Sequence, residues 1–340
     1  MKKSILMLGL AVAAMTSCTN DEVMEVNQNN LIKFESFVNK STRAVTETTN
    51  AGLAQFYVLG GYGTGVYTNV FNNIAFVKDG STSTWKPSES QNEAEWTANV
   101  YRFAAYANQN SSEELSPTFN ADGLTFTNYI VDDTKDLVAA LSGDIDNEDL
   151  DQRNVPLEFN HMLSQVKFTF TNLDDTHKME VSDILVSNVN NKGTGTLSSG
   201  GISWTDLSTA NDYTLKYTGT STKLAPDSLY KPHYQMVIPQ TLNTLGEEIQ
   251  ITFTITFYDE NNAVVSTEKF ENVPLVYDND TTEGVGNKNF TAWKPGYRYN
   301  YTASFPADPK TIRFTVNVTD WVTQDTPANN PTAGDEQMDF

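Results

Sequence analysis

Apolar and polar positions alternate with a period of two along most of this chain, the spacing of a strand with one buried face. "IQITFTITFYD" shows it best, with Ile249, Ile251, Phe253, Ile255 and Phe257 facing one way. The same alternation sets Val166, Phe168 and Phe170 against Lys167, Thr169 and Thr171, and Ile32 and Phe34 against Lys33 and Glu35. Further strands are predicted at Leu53 to Leu59 and in "VFNNIAFVKDG", which ends in an Asp79-Gly80 turn signal. "ANVYRFAAYAN", which offers Val100, Phe103 and Tyr106 to a core, "GLTFTNYIV", "EVSDILVSNV", "HYQMVIPQTL", "YRYNYTASF" and "IRFTVNVTDWV" complete the set. Gly60-Gly61-Tyr62-Gly63 breaks the strand before it, Gly193 to Gly201 reads as a turn, and Leu137 to Leu141 as a short helix. Many short strands joined by polar turns predict an all-β fold of sandwiches or barrels. The 340 residues fit two sandwiches joined near Asp151 to Val155.

Charge narrows the function. The formal net charge is −21, which becomes −23 once Lys2 and Lys3 are removed with a leader segment. Such a chain is repelled by phosphate backbones, so no nucleic-acid partner is expected. After Cys18 there is no further cysteine, which excludes disulfides and thiolate metal sites. No later stretch reaches the length of about 20 apolar residues that spans a bilayer.

That single cysteine closes "MTSC". Met1-Lys2-Lys3 is a charged start, Ser4 to Met15 is a short and nearly unbroken apolar run, and the small residues Thr16 and Ser17 follow. This order matches a secretory signal peptide. Small residues directly ahead of a cysteine resemble a bacterial lipobox, which implies acylation of Cys18 and anchoring through the acyl chains. The residues from Thr19 to Asn30 have the polar, acidic composition of a tether.

Candidate chemistry is sparse. His161, His177 and His233 lie far apart and read as structural histidines. "GDIDNEDLD" (143–151) carries charge suited to Ca²⁺, but Asp149 stands where the sharp turn of an EF-hand loop needs glycine, and a solvated acidic loop is the simpler reading. "GGYGTG" (60–65) lacks the dinucleotide-binding spacing and a following helix. No serine sits in a G-x-S-x-G elbow. No catalytic residue, metal or cofactor is therefore expected. A lipid-anchored glycan-binding protein is the alternative, with Trp85, Trp96, Trp204 and Trp293 as stacking platforms.

Several signatures in order carry a resemblance. The lipobox, "STRAV" after the first strand, "LEFNHMLSQVKFTF", "VIPQTL" and "AWKPGYRYNYT" ahead of "FTVNVTDWV" together resemble the fimbrillin family of Bacteroides-type bacteria. The resemblance implies a type V pilus subunit or adhesin, held in the outer membrane by lipid and exposed at the surface. It would have two tandem transthyretin-like β-sandwich domains. On that pattern residues 1–17 are the signal, 18–43 a lipidated tether and first strand, 44–154 and 155–322 the two domains, and 323–340 a polar tail. The resemblance also implies cleavage between Arg43 and Ala44 by a trypsin-like protease. The strand carrying Ile32 and Phe34 then leaves and a strand of another pilus subunit replaces it. The tail, with Pro327 and Pro331, is a poor donor strand. The alternative donor is "TIRFTVNVTDWV", inserting Ile312, Phe314, Val316 and Val318. Ser228 and Thr281 stand in short motifs that resemble O-glycosylation sites of these bacteria. A host or bacterial surface receptor or glycan completes the expected partners.

Replacing Cys18 by alanine is expected to move the protein from the membrane fraction to the soluble fraction. Retention in salt-washed membranes would show that Cys18 is not the anchor.

Overall fold

The computed structural model describes residues 30–38, 53–63, 67–80, 84–108, 115–146, 154–210, 213–217, 220–244, 247–275, 291–306, 314–320 and 336–338. Its strands begin with β1 (Lys33–Val38), β2 (Gln55–Tyr62), β3 (Thr68–Lys78), β4 (Thr84–Pro87), β5 (Val100–Asn108), β6 (Thr118–Asn120), β7 (Gly123–Ile130) and β8 (Leu137–Leu141). There follow β9 (Ile145–Asp146), β10 (Asn154–His161), β11 (Ser164–Asn172), β12 (Lys178–Ser187), β13 (Lys192–Ser198), β14 (Gly201–Ser208), β15 (Leu215–Lys216) and β16 (Leu229–Tyr230). The last are β17 (Gln235–Val237), β18 (Asn243–Thr244), β19 (Glu247–Glu248), β20 (Gln250–Tyr258), β21 (Val264–Pro274), β22 (Tyr297–Phe305), β23 (Phe314–Asp320) and β24 (Glu336–Met338). The fold is all-β, as the alternation predicts.

Hydrogen-bonded neighbours in the first sheet run β2-β3-β4-β1-β10-β8-β5, and β5 pairs again with β2. The strands therefore close into a ring, with β9 appended to β5. Closure removes the free edges of a sheet. Inside lie Ile32, Phe34, Phe56, Phe71, Phe76, Trp85, Phe103, Val155, Leu157 and Phe159, all essentially fully buried.

A second apolar layer covers one outer face of the ring. Tyr57, Leu59, Tyr106, Leu137 and Ala139 point outward from β2, β5 and β8 and meet Leu124, Phe126, Tyr129 and Leu197 of the sheet β14-β13-β7-β6. This explains the first departure from expectation. Leu137 to Leu141 form a strand, because Val138 and Ala140 face the ring interior while Leu137 and Ala139 face the outer layer. A strand buried on both faces has no polar positions to reveal its period. Tyr106 and Phe103 likewise serve opposite layers, and Val100 is exposed.

The third core is a two-sheet sandwich. One sheet runs β16-β11-β22-β23-β24 with β17 also on β11, and the other runs β15-β12-β20-β21. Val166, Phe168, Phe170, Tyr301 and Phe314 of the first meet Val181, Val186, Ile251, Phe253 and Ile255 of the second. Pairing crosses between the earlier and later parts of the chain. Strand β10 pairs with β1 and β8 inside the ring, and the hairpin β13–β14 pairs with β7 over its outer face.

Gly60 continues strand β2 instead of breaking it. Its φ is +140°, and an added Cβ would stand 2.3 Å from the Arg102 carbonyl oxygen. Only glycine allows β5 to approach so closely.

The turn from β11 into β12 is organised by Asp174, which is buried. Burial works against its ionisation. Against that, Oδ1 accepts from the Thr176 amide at 2.7 Å, the Thr176 hydroxyl at 2.8 Å and the His177 amide at 3.0 Å, and the His177 ring lies 2.7 Å from Oδ2. These bonds prevail and hold the carboxyl at about 2, below its ordinary 3.8. A folded value below the unfolded one stabilises the fold above the unfolded pKa and loses its effect as pH falls through the folded one. Asp174→Asn is therefore expected to cost on the order of 1–2 kcal/mol at pH 7. The gap to the parent should shrink between pH 4 and pH 2 in denaturant titrations, and an equal gap at both ends would refute the assignment.

Candidate strand-exchange site

Strand β1 is the element through which the ring closes. It runs parallel to β10 over six paired positions, Lys33 with Asn154 through Val38 with Phe159. On its other side Phe34 and Glu35 pair antiparallel with Trp85 and Thr84 of β4. The chain just ahead is tied as well: the Ile32 amide donates to the Ala94 carbonyl at 2.8 Å, and Asn30 and Trp96 exchange contacts through the Trp96 amide and the Asn30 side chain.

Its side chains follow the alternation. Ile32 and Phe34 are buried, and Lys33 and Glu35 are partly exposed. The Phe34 ring stands edge-on to four others, Phe76 at 4.9 Å, Phe103 at 5.2 Å, Phe71 at 6.0 Å and Phe56 at 6.5 Å between centroids. Edge-to-face contacts of this kind add to plain area burial. Outside, the Lys33 ammonium lies 3.6 Å from Asp79, which also holds Lys86 at 2.9 Å, and Asn154 donates to Glu35 at 3.0 Å. The Lys86 ammonium keeps the Asp79 carboxyl below its ordinary range. Without β1, backbone donors and acceptors of β4 and β10 would lose their partners on either side of an aromatic trough.

The other expected donor residues sit in the sandwich. Phe314 and Val316 are buried and Val318 is half-buried on β23, which pairs with β22 over seven positions. Three residues of the polar tail, Glu336–Met338, pair with β23 on its other side, a strand the tail's composition did not suggest. Cys18, Arg43, Ala44, Thr281 and Ile312 lie outside the described residues. Ser228 is half-buried in a turn whose Asp227 has a φ of +56°.

Trp85, Trp96, Trp204 and Trp293 are not stacking platforms. Trp85, Trp96 and Trp293 are 1–3% exposed, and Trp204 lies across Gly195 with its indole donating to the Met162 carbonyl at 2.8 Å. Three are core residues and the fourth is tied to the outer layer, which removes the feature that favoured the glycan reading. His161 is buried against Asp136 at 2.9 Å, His177 serves the Asp174 turn, and His233 is exposed. Among the described residues, no group of three or more His, Cys, Asp or Glu side chains is placed to hold a metal ion.

The model of one protein family, described as fimbrillin-like, matches residues 42–321. The chain belongs to the fimbrillin-like family. No curated protein sequence matches it. Among solved structures, a fimbrial protein from Bacteroides vulgatus is 14% identical, with 86% of this chain and 100% of that chain covered and a TM-score of 0.56. Candidate cell-adhesion proteins from Bacteroides ovatus and Bacteroides uniformis are 12% and 18% identical, with TM-scores of 0.51 and 0.50. They cover 87% and 86% of this chain and 99% of their own lengths. At such identities these structures speak for a shared fold alone.

In this fimbrillin-like chain the receiving side of the site, Val155, Leu157 and Phe159 of β10 with Trp85 of β4, was not apparent from sequence. The alternation in "VPLEF" marks a strand, but nothing local names a partner more than a hundred residues earlier.

Phe34→Ala is expected to cost about 3–5 kcal/mol, the range for deleting a buried phenylalanine. Lys33→Ala should cost less than about 1 kcal/mol. Equal effects of the two in denaturant titrations would mean that β1 does not close the core.

Proposed function

We propose that this chain is a fimbrial subunit or fimbrillin-like adhesin, exported as a lipoprotein on Cys18 and assembled at the cell surface by strand exchange. The observation that carries the reading is the placement of β1. It is a short strand near the chain start, laddered on both sides and filling an aromatic core. In this reading the ring and the sandwich correspond to the two transthyretin-like units of the family, and β1 completes the first.

Arg43 lies five residues beyond the end of β1, in a stretch of small and polar residues. A cut between Arg43 and Ala44 converts β1 from a covalently tethered strand into a separate peptide held by noncovalent contacts. Burial of Ile32 and Phe34 contributes roughly 3–6 kcal/mol to its retention. An incoming strand from another subunit can match that contribution and satisfy the same backbone groups, which is the physics of β-augmentation. Strand β23 and the tail are the two candidate donors on this chain. The partners are then other pilus subunits and the outer membrane, with a surface receptor or glycan at the exposed face. The chain acts by contact rather than catalysis.

Limited trypsin treatment is expected to cut first after Arg43, to leave Ala44 as a new terminus, and to yield ladders of oligomers. Arg43→Ala should block both the cut and the ladders. Oligomers forming equally well from uncut Arg43→Ala protein would overturn the mechanism. Clean cutting without oligomers would confine the chain to a tip, anchor or monomeric adhesin.

A further inference from the structure

Apolar alternation is common to many strands of this chain, but one three-residue order within it is rare. An aliphatic residue, a basic one and phenylalanine follow one another three times. They are Ile32-Lys33-Phe34 at β1, Val166-Lys167-Phe168 in β11 and Ile312-Arg313-Phe314 leading into β23. Val38 and Val318 extend the likeness of the first and the last, each four residues beyond its phenylalanine. Strand β20, by comparison, reads Ile251-Thr252-Phe253. Of the two segments that match β1, β11 is held by β22 along one edge and by β17 and β16 along the other. Strand β23 has β22 on one side and, among the described residues, only the three residues of β24 on the other. It is the less enclosed of the two.

The site shows what the basic position does. The Lys33 ammonium lies 3.6 Å from Asp79, at the turn between β3 and β4, and Asp79 also holds Lys86 at 2.9 Å. Beside this pair is a cavity of about 80 Å³ lined by Ile32, Lys33, Asp79, Lys86 and Glu93. Departure of β1 takes Lys33 from Asp79 and empties the aromatic nest around Phe34. A strand laid parallel to β10 in the register of β1 would set Phe314 opposite Val155, where Phe34 stands, and Arg313 beside Asp79. A guanidinium fork suits a carboxylate, and the cavity leaves space for its greater width.

We infer that Asp79 is the specificity-determining residue of the strand-exchange site, and that it receives Arg313 from residues 312–318 of another copy of this chain. The inference rests on the strand-exchange reading and adds to it a register and a charge rule. Ile312 and Phe314 take the places of Ile32 and Phe34. The third inward residue differs, Val316 for the buried Ser36, so the match rests on the first three positions. A strand with threonine in place of Arg313 fills the same trough without the ion pair that Lys33 supplied, and one with glutamate there is repelled by Asp79. A surface pair of this kind changes affinity by up to about fivefold. That is small beside the burial of a phenylalanine, so Asp79 sorts strands that already fit the trough.

The test uses the mature protein cut after Arg43 with β1 still in place, and follows displacement of β1 by added peptides in native mass spectrometry. The probes are peptides of residues 30–40 and 310–320, and the second peptide carrying Arg313→Thr, Arg313→Glu or Phe314→Ala. Peptide 310–320 is expected to displace β1. Arg313→Thr should do so about three- to fivefold less well, Arg313→Glu less again, and Phe314→Ala about a hundredfold less. Protein carrying Asp79→Asn should lose the preference for Arg313, and Asp79→Lys should reverse it in favour of Arg313→Glu. Three results would overturn the inference and leave strand exchange standing: entry of 30–40 without 310–320, equal entry of Phe314→Ala, or an Arg313 effect unchanged by Asp79→Asn and Asp79→Lys. Entry of neither 30–40 nor 310–320 would overturn strand exchange itself, and the inference with it.

Discussion

The six-position parallel ladder between β1 and β10 joins residues more than one hundred apart and brings Phe34 into the middle of the first core. Parallel neighbours cannot be joined by a tight turn, so this contact closes a long stretch of chain and carries the entropy cost of doing so. Strands β2, β3, β4, β5 and β8 supply the rest of the ring from residues between the two partners. The ring interior is thus built largely from one continuous stretch, and β1 inserts into a frame that the later sequence defines.

Much of the architecture was legible because half-buried strands declare themselves. Ile249, Ile251, Phe253, Ile255 and Phe257 are all buried on one face, as their alternation requires. Legibility failed where burial is two-sided, as at Leu137–Leu141, because an unbroken apolar run hides its period. It failed also at glycines whose role is contact. Gly193 and Gly195 read as part of a turn, yet both lie within β13, where an added Cβ at Gly195 would stand 2.8 Å from the Trp204 ring. Pairing order lay beyond local pattern altogether, as in the ladder of β10 with β1.

The approach of Lys167 and Arg298 to the Tyr234 ring was invisible for a related reason. Lys167 occupies an ordinary outward position in an alternating strand, and Arg298 does the same far along the chain. Only the parallel register of β11 with β22, together with the approach to β17, places both against Tyr234. By contrast, three of the tryptophans offered as binding platforms, Trp85, Trp96 and Trp293, are large apolar residues placed where such residues usually go, in the interior.

The direction of β1 has a mechanical consequence. Because β1 and β10 are parallel, a pull on the chain ahead of Lys33 draws β1 one way, while the body of the fold continues from the opposite end of β10. The load then runs along the strand axes, so the rungs are sheared together instead of parting one after another. A bond arranged in shear resists a steady tug far better than one that is peeled from an end. Strand β1 is therefore a firm handle against a pull on the chain ahead of it.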